Sequence, residues 1–76
     1  MRQPLEGSLK TYILYVHDDR YSVPNMNSIV VHDDAQAIEI ATEYLAASLH
    51  HWAVEVWDGE RLVGRIDRPD LDSPAD

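Results

Sequence analysis

One helical stretch lies between two pairs of strand-like segments, and this order limits the fold more than any other feature of the sequence. Four apolar residues within 34–50 fall on one face of a helix at spacings of 3, 4 and 4: Ile38, Ala41, Leu45 and Leu49. Asp33 precedes the stretch and Gln36 follows three residues later, as in a capping box. We therefore predict a helix over residues 34–50. His50 and His51 end this helix, where their partial positive charge suits the helix dipole.

Two segments before the helix have the composition of strands. Residues 11–17 are rich in β-branched and aromatic residues, and residues 28–32 follow after a loop too short for a crossover helix. The two strands are therefore expected to be antiparallel. We predict that His17 lies opposite Ser28, because this register places five apolar side chains on one face.

After the helix, residues 52–57 and 61–66 flank an Asp-Gly pair, which is a strong hairpin signal. We predict a three-residue loop at 57–59 with a left-handed glycine at its end. This loop sets Glu55 opposite Arg61, a favourable cross-strand pair. It also aligns two sets of residues on one face: Trp52, Val54 and Val56 with Leu62, Gly64 and Ile66.

The predicted fold class is α+β, with the order ββαββ. A right-handed crossover between the second and third strands is the favoured hand. It allows a four-stranded antiparallel sheet in the order 2-1-3-4, with the helix packed on one face. Residues 9–66 would form the single domain, residues 1–8 a loose lead-in, and residues 67–76 a disordered acidic tail.

The composition of the chain limits the kinds of partner that it can bind. The chain has 76 residues, no cysteine and a net charge of −8, from fourteen acidic and six basic residues. Disulfides and thiolate zinc sites are thereby excluded. The negative charge repels nucleic acid and anionic membranes and attracts basic proteins. A net charge of this kind also keeps a small protein soluble.

No apolar run approaches the ~18 residues of a membrane span, and the start of the chain lacks a signal-peptide core. We therefore expect a cytoplasmic location.

Three segments carry a resemblance to known proteins: YILYVHD at 12–18, DDAQA at 33–37 and VEVWDG at 54–59. With these, residues 11–66 resemble a family of small uncharacterised bacterial ββαββ proteins that is common in alphaproteobacteria. The resemblance implies the fold and carries no activity.

A second resemblance is to HicB-like antitoxin domains. The segments YSVP at 21–24 and DAQAI at 34–38 follow a strand in the order that those domains show. The chain departs from them in lacking Gly-rich spacing before the helix and a separate DNA-binding segment. This resemblance implies an antitoxin-like alternative.

Histidines and aspartates supply a candidate metal site. The repeat VHDD begins at Val16 and again at Val31, but its two histidines would lie roughly 13 Å apart along the hairpin, too far to share an ion. The helix, however, should return to the sheet edge where the first strand ends. The helix would thereby bring four residues together, with Asp19 beside them, as a candidate metal-binding or pH-sensing site. These four residues are His17, Asp18, His50 and His51. A turn and a helix end explain the same residues structurally, and no cofactor is expected.

The sheet face away from the helix is the best candidate for function. Its predicted contact residues are apolar and aromatic, as in protein interfaces, with two arginines at the rim: Ile13, Tyr15, Trp57 and Val63, then Arg61 and Arg65. The same residue types also suit an exposed strand that has no partner. We predict a non-catalytic module that binds a protein partner or pairs as a homodimer. Single-stranded nucleic acid stacking on these aromatics is an alternative that the net charge opposes.

Catalysis has less support in the sequence. The chain has no cysteine nucleophile and no Gly-rich phosphate loop, and no serine has a recognisable motif around it. A domain of one helix and one sheet also offers little room for a deep pocket. We therefore predict that the protein is not an enzyme.

Overall fold

The computed structural model describes residues 8–68, which form four strands and one helix in the predicted order. Their bounds are β1 (Lys10–Asp18), β2 (Asn25–Val31), α1 (Asp34–Ala46), β3 (His51–Asp58) and β4 (Arg61–Asp67). The strands form one antiparallel sheet in the order β2-β1-β3-β4, which confirms the predicted fold class and strand order. Within residues 8–68, no helix has the length and apolarity needed to cross a membrane.

The hydrophobic core lies between α1 and one face of the sheet. Alternate residues of a strand point to opposite faces, so every second residue of β1 and β3 faces the helix. The buried cluster draws on all elements except β4: Tyr12, Leu14, Val16, Val31, Ala37, Ala41, Leu45, Val54 and Val56. On β4, Gly64 lets the helix come close, because a Cβ added there would lie 3.1 Å from Cδ1 of Ile38.

The start of α1 matches the prediction. Asp33 is the N-cap, and its Oδ1 accepts a hydrogen bond of 2.9 Å from the backbone N–H of Gln36. The Gln36 side chain reaches back one residue further than in a standard capping box, because its Oε1 accepts from the backbone N–H of His32 at 2.7 Å. One unpaired donor of the first helical turn and the donor just before the N-cap are thus satisfied.

The predicted end of the helix was wrong. The helix ends at Ala46, four residues early, and His51 is already the first residue of β3. Leu49 therefore leaves the apolar stripe and is 88% exposed, while Leu45 is fully buried. His50 lies in the connecting turn, not on the helix.

Arg68 binds carbonyl groups at and just beyond the helix end. Its guanidinium donates to the carbonyl oxygens of Leu45 at 2.6 Å, of His51 at 2.8 Å and of Ser48. Carbonyl groups at a helix end lack partners within the helix. Arg68 supplies these bonds although it is 20 or more residues away from Leu45 and Ser48, so no local sequence pattern predicts them. The predicted tail began at residue 67, yet Asp67 is the last residue of β4. Most of the tail and of the lead-in lies outside the described residues.

The predicted β1–β2 register was wrong by four residues. Ser28 lies opposite Ile13 instead of His17, and Val16 lies opposite Asn25. The strand β2 begins three residues earlier than predicted, because pairing with β1 overrides the turn preference of Asn25 and Asn27. The shift is an even number of residues, so it leaves each side chain on its predicted face.

One prediction for the β3–β4 hairpin was right and two were wrong. Gly59 has the predicted left-handed conformation, with φ of 62°. Glu55, however, lies opposite Arg65 instead of Arg61. The register shifts next to Trp57, where the strands form a bulge. The predicted three-residue loop at 57–59 was also wrong, because β3 continues to residue 58 and the loop consists of residues 59 and 60 alone.

Candidate functional site

The sheet face opposite α1, which we call the outer face, carries an open concavity of about 500 Å³. Its lining combines apolar, aromatic and ionisable side chains at the centre of the sheet, and we call it the outer-face cleft: Ile13, Tyr15, His17, Pro24, Glu55, Trp57 and Gly59. The lining residues of β1 and β3 alternate with the core residues along each strand. Successive side chains of a strand point to opposite faces of the sheet, so those that do not pack against α1 lie on the outer face.

Glu55 is the hub of the outer-face cleft. Its Oε1 accepts a hydrogen bond of 2.9 Å from Nε1 of Trp57, and its Oε2 lies 3.1 Å from Nε2 of His17 and 3.4 Å from Nη1 of Arg65. The bond from Trp57 holds the pKa of the Glu55 carboxyl below its ordinary value, against the opposing effect of partial burial, and His17 adds to the lowering. Glu55 is therefore a fixed anion at neutral pH.

A second aromatic group borders the cleft. The ring centroids of His17 and Trp52 are 5.0 Å apart, and Cζ of Arg65 lies 5.7 Å from the centre of the Trp52 ring. The sequence placed Trp52 on the core face with Val54, but that placement was wrong. The register shifts by one residue beside His17, and this bulge leaves Trp52 without a partner on β1 and turns it outward.

Four of the predicted contact residues occupy the outer face. Ile13, Tyr15 and Trp57 line the cleft, and Arg65 binds Glu55 at its rim. Val63 does not belong to this face, because it is half-buried and packs against the core cluster. It has no partner in the β3–β4 register, so the bulge reverses its direction.

Arg61 also lies away from the outer face. It binds Asp34 at the start of α1 at 3.2 Å and Asp58 at 2.9 Å, on the helix side of the sheet. Tyr12 donates to Asp34 at 2.7 Å, and Lys10 binds Asp58 at 2.9 Å. Arg61 lowers the pKa of Asp34, and Lys10 lowers that of Asp58. Arg61 thus links the β3–β4 hairpin to the start of α1.

The predicted metal residues are brought together only in part. Ligand atoms of Asp18, Asp19 and His50 lie within 4.8 Å of one another, and Nε2 of His51 lies 3.7 Å from Oδ2 of Asp18. We call these four residues the Asp18 cluster. His17 does not join it, because it precedes Asp18 on the strand and so faces the outer side, where it binds Glu55.

A cation of the chain already binds Asp18, the buried member of the cluster. Oδ1 of the nearly buried Asp18 accepts from the backbone N–H and Nε of Arg20, at 2.8 and 3.0 Å, and Oδ2 accepts from Nη2 at 2.7 Å. The side-chain bonds from Arg20 hold the pKa of Asp18 well below its ordinary value. His51 is fixed as well, because its Nδ1 donates to the carbonyl of Tyr44 at 2.7 Å. A metal ion that bound Asp18 would compete with Arg20 for the same carboxylate.

Acid titration tests this assignment of Asp18. Because the pKa of Asp18 is lower in the folded than in the unfolded chain, its ionisation stabilises the fold above about pH 4, and this share is lost as the pH falls through the folded pKa. We expect Asp18→Asn to be less stable than wild type at pH 7 and the two proteins to converge toward pH 2. Urea unfolding at a series of pH values measures the difference. The exposed Asp19→Asn is the control, and a gap that stays constant with pH would contradict the assignment.

The sequence predicted part of this site and missed its centre. Glu55 and Trp52 were not among the candidate residues. Strand alternation places Glu55 on the face of Trp57, so this signal was available, whereas the bulge that exposes Trp52 has no local signature.

Comparison of the chain with protein-family models, curated proteins and solved structures gave no match. The resemblances to bacterial ββαββ proteins and to HicB-like domains stay predictions.

Proposed function

We propose that the protein is a small non-catalytic interaction module that binds a protein partner through the outer-face cleft. The observation that carries this proposal is a concave aromatic surface on the sheet face opposite α1, where no second layer covers it within residues 8–68. Exposed apolar surfaces of this kind mark interaction sites. Tyrosine and tryptophan are the residues that interfaces favour.

The rigidity of the cleft supports the same proposal. Trp57 is held by its bond to Glu55, which in turn is bound by His17 and Arg65. A side chain that is ordered before binding loses less conformational entropy when the partner arrives. Trp57 therefore has the properties of an interface anchor. The net charge of −8 favours a basic partner.

The state of Glu55 favours binding over catalysis. A general acid or base works best with a pKa near the operating pH, whereas the Trp57 bond lowers the pKa of Glu55. Both of its oxygens also accept hydrogen bonds from the chain itself. The carboxylate thus serves to position its neighbours.

Truncation of the anchor tests the proposal. Wild type, Trp57→Ala and Leu49→Ala are each immobilised and exposed to a cell extract. Proteins that bind wild type and Leu49→Ala but not Trp57→Ala are identified and purified. We expect Trp57→Ala to weaken the purified partner's affinity about 30-fold, which is the loss typical of an interface anchor. Titration calorimetry measures it, with far-ultraviolet circular dichroism as the check of folding.

Leu49→Ala is the matched control because Leu49 is exposed and lies outside the outer face. Equal affinity of wild type and Trp57→Ala would contradict the proposal. Unfolding of Trp57→Ala would also contradict it, since Trp57 would then be a core residue. The absence of any protein that distinguishes the baits would count against it in the same way.

A further inference from the structure

The edge strand β2 has an unusual composition for its position. It pairs with β1 on one side, and within residues 8–68 no strand lies on its other side. The segment 21–31, which contains β2, has no acidic, basic or histidine residue, in a chain with twenty charged residues. The opposite edge strand, β4, carries Arg61, Arg65 and Asp67. Edge strands are normally protected by charge, and β2 lacks this protection.

Exposed apolar side chains accompany this edge. Met26 and Val30 are 66% and 57% exposed, and both lie on the outer face, opposite Tyr15 and Thr11 of β1. Tyr21 and Val23 in the preceding loop are exposed as well. An uncharged strand edge with apolar neighbours is the surface that strand addition uses, since main-chain hydrogen bonds supply affinity and alternate side chains supply specificity.

We propose that β2 pairs antiparallel with β2 of a second copy of this chain, about a two-fold axis at Ser28. In this register Met26 lies opposite Val30 of the second copy, and the reverse pair forms by symmetry. Both pairs are apolar and lie on the outer face, where cross-strand pairs of this kind stabilise a sheet. The two four-stranded sheets become one continuous sheet.

A second copy fits this edge better than a foreign strand. An antiparallel strand pair of identical sequence is self-complementary, so one surface supplies both sides of the interface. The absence of charge means that no like charges meet across the strands, although each copy carries −8. The charged edge of β4 blocks further strand addition, so the assembly closes at two copies.

This inference concerns a different surface from the outer-face cleft and does not depend on the proposed function. It does bear on that function, because Met26 lies beside Tyr15 in the sheet. Pairing through β2 would therefore join the outer faces of the two copies into one surface with two clefts.

Solution mass by light scattering, over a concentration series, tests the proposal with the full chain. We expect wild type to be a dimer, and Met26→Lys and Val30→Glu each to raise the dissociation constant about tenfold or more, because each substitution occurs twice and buries a charge against an apolar side chain. Leu62→Lys, at an exposed position on the β4 edge, is the matched control and should leave the dimer intact. Circular dichroism checks that each variant is folded.

Mixing two variants tests the register. Position 26 of one copy faces position 30 of the other, so Met26→Lys and Val30→Glu should form a mixed dimer that is tighter than the dimer of either variant alone. Higher salt should strengthen the wild-type dimer, because it screens the repulsion between two anionic copies. A monomeric wild type, a larger assembly, or no recovery on mixing would each overturn the proposal. Trp57→Ala separates the two surfaces. It should keep the dimer, and loss of the dimer would assign self-association to the outer-face cleft and overturn the proposal.

Discussion

Leu45→Ala is expected to lower the free energy of unfolding by about 2–5 kcal/mol, because it removes a fully buried side chain and leaves a cavity between α1 and the sheet. A domain of this size has a total stability of roughly 3–5 kcal/mol, so the variant would be largely unfolded at 37 °C. Urea unfolding followed by tryptophan fluorescence and circular dichroism measures the loss.

Leu49→Ala is the paired control. Leu45 and Leu49 lie four residues apart, and sequence periodicity assigns them the same role, yet Leu49 lies past the helix end and is exposed. Its removal should change the free energy of unfolding by less than about 0.5 kcal/mol. Similar losses for the two variants would mean that the helix continues to residue 49 and that the assigned helix end is incorrect.

Arg68→Ala should have the second largest effect, a loss of about 2–3 kcal/mol. The guanidinium satisfies the carbonyl groups of Leu45, Ser48 and His51, and removal of a charged donor leaves partly buried acceptors without their partner. Thermal unfolding of the variant and wild type at the same concentration measures the difference.

Two controls distinguish the geometry from the charge at Arg68. Arg68→Lys keeps the charge but cannot direct several N–H groups at separate carbonyls, so most of the loss should remain. Arg65→Ala, at an exposed ion pair on β4 three residues earlier, should cost less than about 1 kcal/mol. If Arg68→Ala is as stable as Arg65→Ala, the carbonyl contacts contribute nothing measurable.

The elements of this fold could be predicted because they depend on local patterns. Strand alternation, the Asp33 N-cap and the left-handed Gly59 are each decided by neighbouring residues, and all three are confirmed. Both register errors, at Ser28 and at Glu55, are shifts of four residues. Side chains on a strand repeat every two residues, so such errors leave the core assignment intact.

What the sequence could not reveal depends on distant contacts and on bulges. The end of the helix is bound by Arg68, which is 23 residues from Leu45. Two bulges, beside His17 and beside Trp57, interrupt the alternation and decide which residues face outward. They put Trp52 on the candidate surface and remove Val63 from it.

The contact between Arg68 and the end of α1 has a consequence for how the chain is made. Synthesis runs from the N-terminus, so α1 and β3 leave the ribosome before Arg68 does, and the helix emerges without the cation that binds its last turn. Cooperative closure of the domain must therefore wait until β4 and Arg68 have left the exit tunnel. The nascent chain holds an incomplete sheet until then, with the uncharged strand β2 at its edge.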